Sequence, residues 1–212
     1  MGRFLSSDKL FFGGIIAASV AIVIVALAVL SGGGKPVSSQ DLVKKDSHVL
    51  GERNAKVQIV EFADYQCPAC RMAQPIVKQV VASYSDQAVF VYRHFPLIGS
   101  HQYSLEAAQA SEAAGEQGKF WEYHDLLFEN QEHLDHDSLI SYAKRLNLDI
   151  KKFEEALNSG KYKDKVMADL SAGQQAGVDS TPTFFINGKK YVGVQTFDQF
   201  KNIIESELKA SK

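Results

Sequence analysis

The sequence predicts an α/β domain preceded by one N-terminal transmembrane helix. An uncharged apolar run, Leu10 to Leu30, is long enough to cross a bilayer as a helix. Beyond it, short β-rich runs enclose a long stretch with helical periodicity. The 212 residues carry a formal net charge of -2 and no basic stripe, which argues against a nucleic-acid-binding protein.

The predicted membrane anchor divides the N-terminal part of the chain. Residues 1–9 form a short tail, residues 10–30 the transmembrane anchor, and residues 31–48 a flexible linker that starts with a Ser-Gly-Gly-Gly run. The alternative is a cleaved signal peptide, because residues 26–28 (Ala-Leu-Ala) resemble a cleavage site. A signal core usually has only about 7–15 apolar residues, so we favour a retained anchor.

Residues 49–212 are predicted to form one domain that begins with a β-α-β unit. Val57 to Ala63 is a β-rich run, and a helical pattern follows the Cys-Pro-Ala-Cys segment at residues 67–70 as far as about Tyr84. Ala88 to Phe95 is the next strand. Strands joined by a helix are most simply parallel neighbours.

The rest of the domain is predicted to be a helical insert, a hairpin and a last helix. Apolar residues recur at helical spacing over about residues 101–176. Two strands, Thr183 to Ile186 and Tyr191 to Val194, then flank Asn187-Gly188, a strong signal for a two-residue hairpin turn. A capping box at Thr196 starts the last helix.

The chain has only two cysteines, Cys67 and Cys70, at the start of a helix that follows a strand. Free backbone N–H groups and the positive end of the helix stabilise a thiolate at this place. Cys67 is outermost and is the predicted nucleophile, with a lowered pKa. Cys70 lies one turn inside and is predicted to attack a mixed disulfide formed at Cys67.

Three other roles for the cysteine pair remain open at this point. A zinc site needs about four ligands, which His133 and His136 could in principle complete. A purely structural disulfide across so short a loop would add only about 2 kcal/mol. Two buried, inert thiols are the third possibility, although burial at a helix end that begins with proline is not expected.

Glu61 is a charged residue inside the first apolar strand, six residues before Cys67. A buried, unpaired carboxylate is unfavourable, so a raised pKa is expected. Glu61 could then take or give the proton that Cys70 exchanges. The alternative is an outward edge position with ordinary solvation. Asp64 lies in the following turn, where a solvated or helix-capping role is expected.

Two motifs together, VEFADYQCPAC and TPTFFING, resemble the DsbA-type members of the thioredoxin superfamily, of the membrane-tethered kind. The resemblance covers about Val49 to Leu208 and implies a thioredoxin fold with an inserted helical domain. The dipeptide between the cysteines is Pro-Ala rather than the Pro-His of well-known oxidases, so no imidazole is available there. The resemblance implies these roles: Cys67 and Cys70 as a redox-active disulfide, Glu61 as the proton-handling acid, and Pro68, Ala69, Thr181 and Pro182 as the active-site loops, the last with a cis peptide bond.

The resemblance also implies a function. The chain is expected to be a thiol–disulfide oxidoreductase that donates its disulfide to reduced or unfolded exported proteins, on the exocytoplasmic side of a prokaryotic cell membrane. A quinone-linked membrane partner is expected to reoxidise it, and no cofactor or metal is expected. A reductase or isomerase on the same fold, or a tethered binding or chaperone module, are the alternatives.

The other polar and aromatic residues of the insert region are given structural roles. The predicted surface or satisfied polar histidines are His94, His101, His124, His133 and His136. The predicted core aromatics are Phe120, Trp121, Tyr123 and Phe128. The predicted solvated helix face is formed by Glu112, Glu116 and Lys119.

Overall fold

The computed structural model describes residues 42–210 and contains one five-stranded sheet in the order β1-β3-β2-β4-β5. Strand β2 lies at the centre and pairs in parallel with β3 and antiparallel with β4. The parallel pairing that the sequence predicts is therefore confirmed. The strands are β1 (Val49–Leu50), β2 (Val57–Ala63), β3 (Ala88–His94), β4 (Thr183–Ile186) and β5 (Lys189–Val192).

Helices follow β2, β3 and β5, and most of them lie between β3 and β4. The predicted order of a β-α-β unit, a helical insert and a β-β-α unit is confirmed in the described part of the chain. The short edge strand β1 was not predicted. The helices are α1 (Pro68–Ser83), α2 (Ser104–Glu116), α3 (Phe120–Glu129), α4 (His136–Arg145), α5 (Ile150–Asn158), α6 (Lys163–Gln175) and α7 (Phe197–Ala210).

Helix α1 begins directly after Cys67, which has extended backbone angles (φ -81, ψ 120) and is the N-cap. Pro68 occupies the first turn, where its missing N–H removes no helical hydrogen bond. One stripe of the helix, including Cys70, Ala73 and Val77, is buried in the core. The sequence thus places both cysteines at the end of a helix that is fixed by packing.

The turn between β4 and β5 is the one that Asn187-Gly188 predicts. Both residues have positive φ, 47 at Asn187 and 80 at Gly188, as a type I′ hairpin turn requires. The Asn187 side chain also accepts a hydrogen bond from the Gln58 N–H at 2.9 Å, which ties the turn to β2. Strand β5, Lys189–Val192, is shifted by two residues towards the N-terminus relative to the predicted Tyr191 to Val194 run.

The capping box that starts α7 is confirmed. The Gln199 N–H donates to the Thr196 hydroxyl at 3.2 Å, and the Thr196 N–H donates to the Gln199 side chain at 2.7 Å. This reciprocal pair satisfies two backbone donors that a helix start otherwise leaves open.

The sheet has an apolar core on each face, because side chains alternate along its strands. On one face Ile59 and Phe90 pack with α1, α7 and the helical insert. On the other face Phe62 and Val91 pack with residues around α6. Gly173 of α6 lies so close that an added Cβ would be 2.7 Å from the Phe95 ring.

The predicted membrane anchor at residues 10–30 lies outside the described residues. Between residues 42 and 210, no helix combines the length and apolar character needed to cross a membrane. The last part of the predicted linker, from residue 42 to residue 48, contacts the domain through Leu42, Ser47 and His48, while residues 44–46 are exposed. Leu42 is buried, and its carbonyl accepts a hydrogen bond from the buried Arg93 at 2.6 Å.

Candidate active site

Cys67 and Cys70 are free thiols at the start of α1. Cys67 is 7% exposed and Cys70 is 1% exposed, so Cys67 is the outer of the two, as expected, although both are buried. Between them, Pro68 is exposed and Ala69 is partly buried. The Cys67 N–H donates to the Asp64 carbonyl at 3.1 Å, which closes the turn before the helix.

The surroundings of Cys67 favour its thiolate. A hydrogen bond from the Cys70 thiol is the largest influence and, despite the opposing effect of burial, the pKa of Cys67 is lowered to about 5. The Thr181 hydroxyl and the backbone N–H groups of Ala69 and Cys70 add to this lowering. Burial, the first cause, and the hydrogen bond to Cys67 raise the pKa of Cys70 well above its ordinary value. The two thiols therefore have opposite tendencies to ionise.

A loop before β4 faces the cysteines. The Thr181–Pro182 peptide bond is cis. In its protonated form the Cys67 thiol donates to the Thr181 carbonyl at 3.5 Å, so this loop directly contacts the outer sulfur. The Thr181 hydroxyl is buried and has no hydrogen-bond partner among residues 42–210, which leaves it available to the Cys67 sulfur.

Glu61 is buried at the centre of the sheet, not at an outward edge. It pairs across the sheet with Tyr92 of β3 and Phe184 of β4. Burial, together with the nearby Cys67 thiolate, raises the pKa of Glu61 to about 8. The carboxyl group is therefore mostly protonated at neutral pH and can exchange a proton close to neutrality.

Asp64 holds the turn before Cys67, and the expectation of a solvated or helix-capping role is wrong. Its carboxylate is buried and accepts hydrogen bonds from the Gln66 N–H at 2.7 Å, the Leu97 N–H at 2.8 Å and the His101 ring at 2.8 Å. Because these donors satisfy the buried oxygens, the carboxylate ties the active-site turn to the loop after β3.

A cluster of buried rings beside the cysteines was not predicted as part of the site. Tyr92 stacks on Tyr65 at 5.2 Å between ring centroids, and the Tyr65 hydroxyl lies 3.0 Å from His124 Nδ1. Burial, as the first cause, raises the pKa of both tyrosines and lowers that of His124. All three groups are therefore uncharged. Pairing the two parallel strands in register would have placed Tyr92 beside Glu61.

Glu112 is not on a solvated face, which corrects the expectation from helical spacing. It is buried, and its carboxylate accepts hydrogen bonds from His94 and His48 at 2.9 Å each and from Lys165 at 2.6 Å. Burial opposes ionisation, but the two histidine hydrogen bonds hold the pKa of Glu112 well below its usual range. Glu116 is exposed, as predicted, and pairs with Lys161.

The remaining histidines and aromatic residues have structural contacts. His136 pairs with Glu106 at 2.6 Å, and the carbonyl of His133 accepts from Tyr142 at 2.7 Å. Within residues 42–210, no group of three or more metal-ligating side chains could hold a metal ion. The predicted core aromatics lie in or against the core: Phe120, Tyr123 and Phe128 are buried, and Trp121 is partly buried.

This arrangement agrees with the relationships of the sequence. Residues 43–206 match a protein family described as Thioredoxin. The chain belongs to the thioredoxin family. Its thioredoxin-like fold with a helical insert between β3 and β4 is also that of the solved DsbA-type structures.

Solved structures share the fold over nearly their whole length. BdbD from Bacillus subtilis, in its oxidised form, is 29% identical with a TM-score of 0.71, covering 77% of this chain and 93% of that one. Wolbachia pipientis alpha-DsbA1 is 23% identical with a TM-score of 0.72, covering 82% and 98%. A thioredoxin-like oxidoreductase from Silicibacter pomeroyi is 24% identical with a TM-score of 0.72, covering 84% and 99%.

Curated relatives include much longer proteins. The Na(+)/H(+) antiporter NhaA 3 of Salinispora tropica is 39% identical over 165 residues, which is 78% of this chain and 25% of the antiporter. An antiporter NhaA 1 of Salinispora arenicola is 37% identical over the same length and share. The chain thus spans about a quarter of the length of these relatives.

Proposed function

We propose that the protein is a disulfide donor that passes a Cys67–Cys70 disulfide to reduced exported proteins. The observation that carries this proposal is the position of Cys67 at the N-cap of α1, in contact with the Thr181–Pro182 loop and beside the Cys70 thiol, where the pKa of the Cys67 thiol is lowered to about 5. A stabilised thiolate is a good leaving group and favours the reduced form of the enzyme. A disulfide that contains this sulfur is therefore readily transferred to the thiols of a substrate protein.

In the first step, a substrate thiolate attacks the Cys67 sulfur of the oxidised enzyme. The bond between the cysteines breaks, and its electron pair goes to the Cys70 sulfur. This sulfur needs a proton, because the pKa of the Cys70 thiol is raised well above its ordinary value, first by burial. Glu61, with a pKa raised to about 8, is protonated at neutral pH and is the proposed proton donor.

In the second step, another substrate thiolate attacks the substrate sulfur of the mixed disulfide, and Cys67 leaves as a thiolate. The substrate loses two electrons and two protons. The electrons are now held by the two enzyme sulfurs, one proton restores Glu61, and the other is released to solvent. The Thr181–Pro182 loop is proposed to hold the extended substrate by backbone pairing, which its contact with the Cys67 thiol supports.

The direction of electron flow is tested by titrating the enzyme's disulfide against glutathione. A potential near that of DsbA, about -120 mV, is expected for a donor. A potential near that of thioredoxin, about -270 mV, would instead make the protein a reductase. The Pro68-Ala69 dipeptide, which supplies no imidazole, is the reason to test this alternative first.

A tethered binding or chaperone module is tested by removing the nucleophile. Cys67→Ser should abolish oxidation of a reduced, unfolded substrate protein, because serine forms no disulfide. Unchanged activity of this variant in cells would contradict the enzymatic proposal. Binding of the same unfolded substrate to both forms is the matched measurement, since a binding module needs no thiol.

The proposed location is the exocytoplasmic side of a prokaryotic cell membrane, with the domain anchored by residues 10–30. The apolar length of that run supports it. A quinone-linked membrane protein is the proposed reoxidant that removes the two electrons. Carbonate-washed membranes should retain the full-length chain, and protease added outside should digest the domain. A released product that begins after residue 28 would overturn the anchor.

A further inference from the structure

The backbone next to the nucleophile is held by a side chain of the helical insert. Gln131, in the connection between α3 and α4, is 6% exposed. Its amide nitrogen donates to the Tyr65 carbonyl at 2.7 Å and to the Cys67 carbonyl at 2.9 Å. We propose that Gln131 is a positioning residue that keeps Cys67 in the conformation in which its thiolate is stabilised.

The Cys67–Pro68 peptide group can be held only through its carbonyl, because proline has no N–H. That carbonyl accepts from the Arg71 N–H of α1 at 3.2 Å and from Gln131. The Arg71 N–H holds this carbonyl from within α1, and the Gln131 amide holds it from the helical insert. Together they hold the extended ψ angle of Cys67, 120, which sets where its sulfur lies relative to the helix N–H groups.

The Tyr65–Gln66 peptide group, two positions before it, is held at both ends. The Tyr65 carbonyl accepts from Gln131, and the N–H of the same peptide group, on Gln66, donates to Asp64 at 2.7 Å. A single amide nitrogen carries two hydrogens, so Gln131 satisfies both carbonyls at once. Without this donor, the Tyr65 carbonyl would lose this hydrogen bond and the Cys67 carbonyl would keep the one from Arg71. The negative ends of both carbonyls, next to a thiolate, would then oppose its charge.

The other contacts of the insert region reach the turn through its side chains. The Tyr103 N–H donates to the Gln66 side chain at 2.8 Å, and His124 contacts the Tyr65 hydroxyl. Gln131 differs because it binds the main chain of Cys67 itself. It therefore couples the insert to the reactivity of the nucleophile as well as to the stability of the fold.

The test compares buried glutamines of the insert region in the full-length, reduced protein. Gln131→Leu removes the donor at similar size, and Gln131→Glu replaces it with a carboxylate that faces the two carbonyls. Gln109→Leu is the matched control, because Gln109 is 9% exposed and, within the described residues, donates only inside its own helix, to Leu105 at 3.4 Å. The Cys67 pKa is read from thiolate absorbance and from the alkylation rate against pH.

The Gln131→Leu variant should raise the Cys67 pKa by about one unit, a tenfold smaller thiolate fraction at acid pH. The Gln131→Glu variant should raise it further, and it gives the same readout if the leucine variant does not fold. Gln109→Leu should leave it unchanged. A Cys67 pKa that stays at the wild-type value in both Gln131 variants, whatever their stability, overturns the inference.

The inference rests on the proposed role of Cys67 as the nucleophile, and the same titration separates the two ideas. A wild-type Cys67 that titrates like a free cysteine would refute the proposed disulfide donor. A low wild-type pKa that the Gln131 variants leave unchanged would refute only the positioning role. If the glutathione titration gave a potential near that of thioredoxin while the Cys67 pKa did respond to the Gln131 variants, the protein would be a reductase. The positioning role of Gln131 would then still stand.

Discussion

Ionisation of Cys67 links the stability of the reduced protein to pH. Its pKa falls from an ordinary value of 9.0 to about 5 in the folded protein. A group whose pKa is lowered by folding contributes all of its stabilisation above the unfolded pKa, and this is lost as the pH falls through the folded pKa. The reduced protein should therefore lose stability through this group between about pH 9 and pH 5.

The size of the effect at pH 7 follows from the two pKa values. At pH 7 the unfolded thiol is protonated and the folded one is ionised, and the linkage relation gives about 2.7 kcal/mol. Cys67 itself is buried, but it lies at the start of α1 next to the exposed Pro68, and solvent screening there reduces this to about 1–2 kcal/mol. The same amount makes the disulfide about 20–40 mV more oxidising.

The assay is urea unfolding of the reduced protein with and without Cys67→Ser. Both proteins carry Glu61→Gln, because the pKa of Glu61, raised to about 8, would otherwise titrate in the same range. The stability advantage of the cysteine protein should grow by about 1–2 kcal/mol from pH 5 to pH 7. A difference that stays constant with pH would refute the reasoning, since the sulfur would then ionise equally in both states.

Two further changes test the packing around the site. Glu112→Gln should destabilise the protein by about 3 kcal/mol, because a buried carboxylate with three donors loses its charge. Glu116→Gln, at an exposed ion pair, should change the free energy of unfolding by less than about 1 kcal/mol. Gly173→Ala should destabilise by about 1–3 kcal/mol, because its Cβ would lie 2.7 Å from Phe95. Gly99→Ala, with nothing within 4 Å, is its control, and equal midpoints for the two alanine variants would contradict the prediction.

Features with short-range causes could be predicted from the sequence. The Asn187-Gly188 turn depends on two residues that tolerate positive φ, and the capping box at Thr196 depends on residues three positions apart. The start of α1 at Pro68 has a similarly local cause. The raised pKa of Glu61 could also be predicted, because a charged residue in an apolar strand is costly to bury wherever that strand lies.

Features that depend on distant partners could not be predicted in this way. Helical spacing indicates which residues share a face, but it does not show that His48, His94 and Lys165 converge on Glu112. The role of Gln131 could not be predicted either, because in the sequence it is only a polar residue in a connection between helices. Only the folded insert brings its amide group to the carbonyl of Cys67.

The burial of Leu42 has a mechanical consequence. Its carbonyl is bound by Arg93, which is itself paired with Asp169 at 2.7 Å, on the face of the sheet opposite α1. A pulling force transmitted along the backbone to residue 42 would therefore act first on the Arg93–Asp169 ion pair, on the face of the sheet opposite α1. Helix α1, which carries the cysteines, would not bear this force directly, so tension on the chain would leave the geometry of the two thiols unchanged.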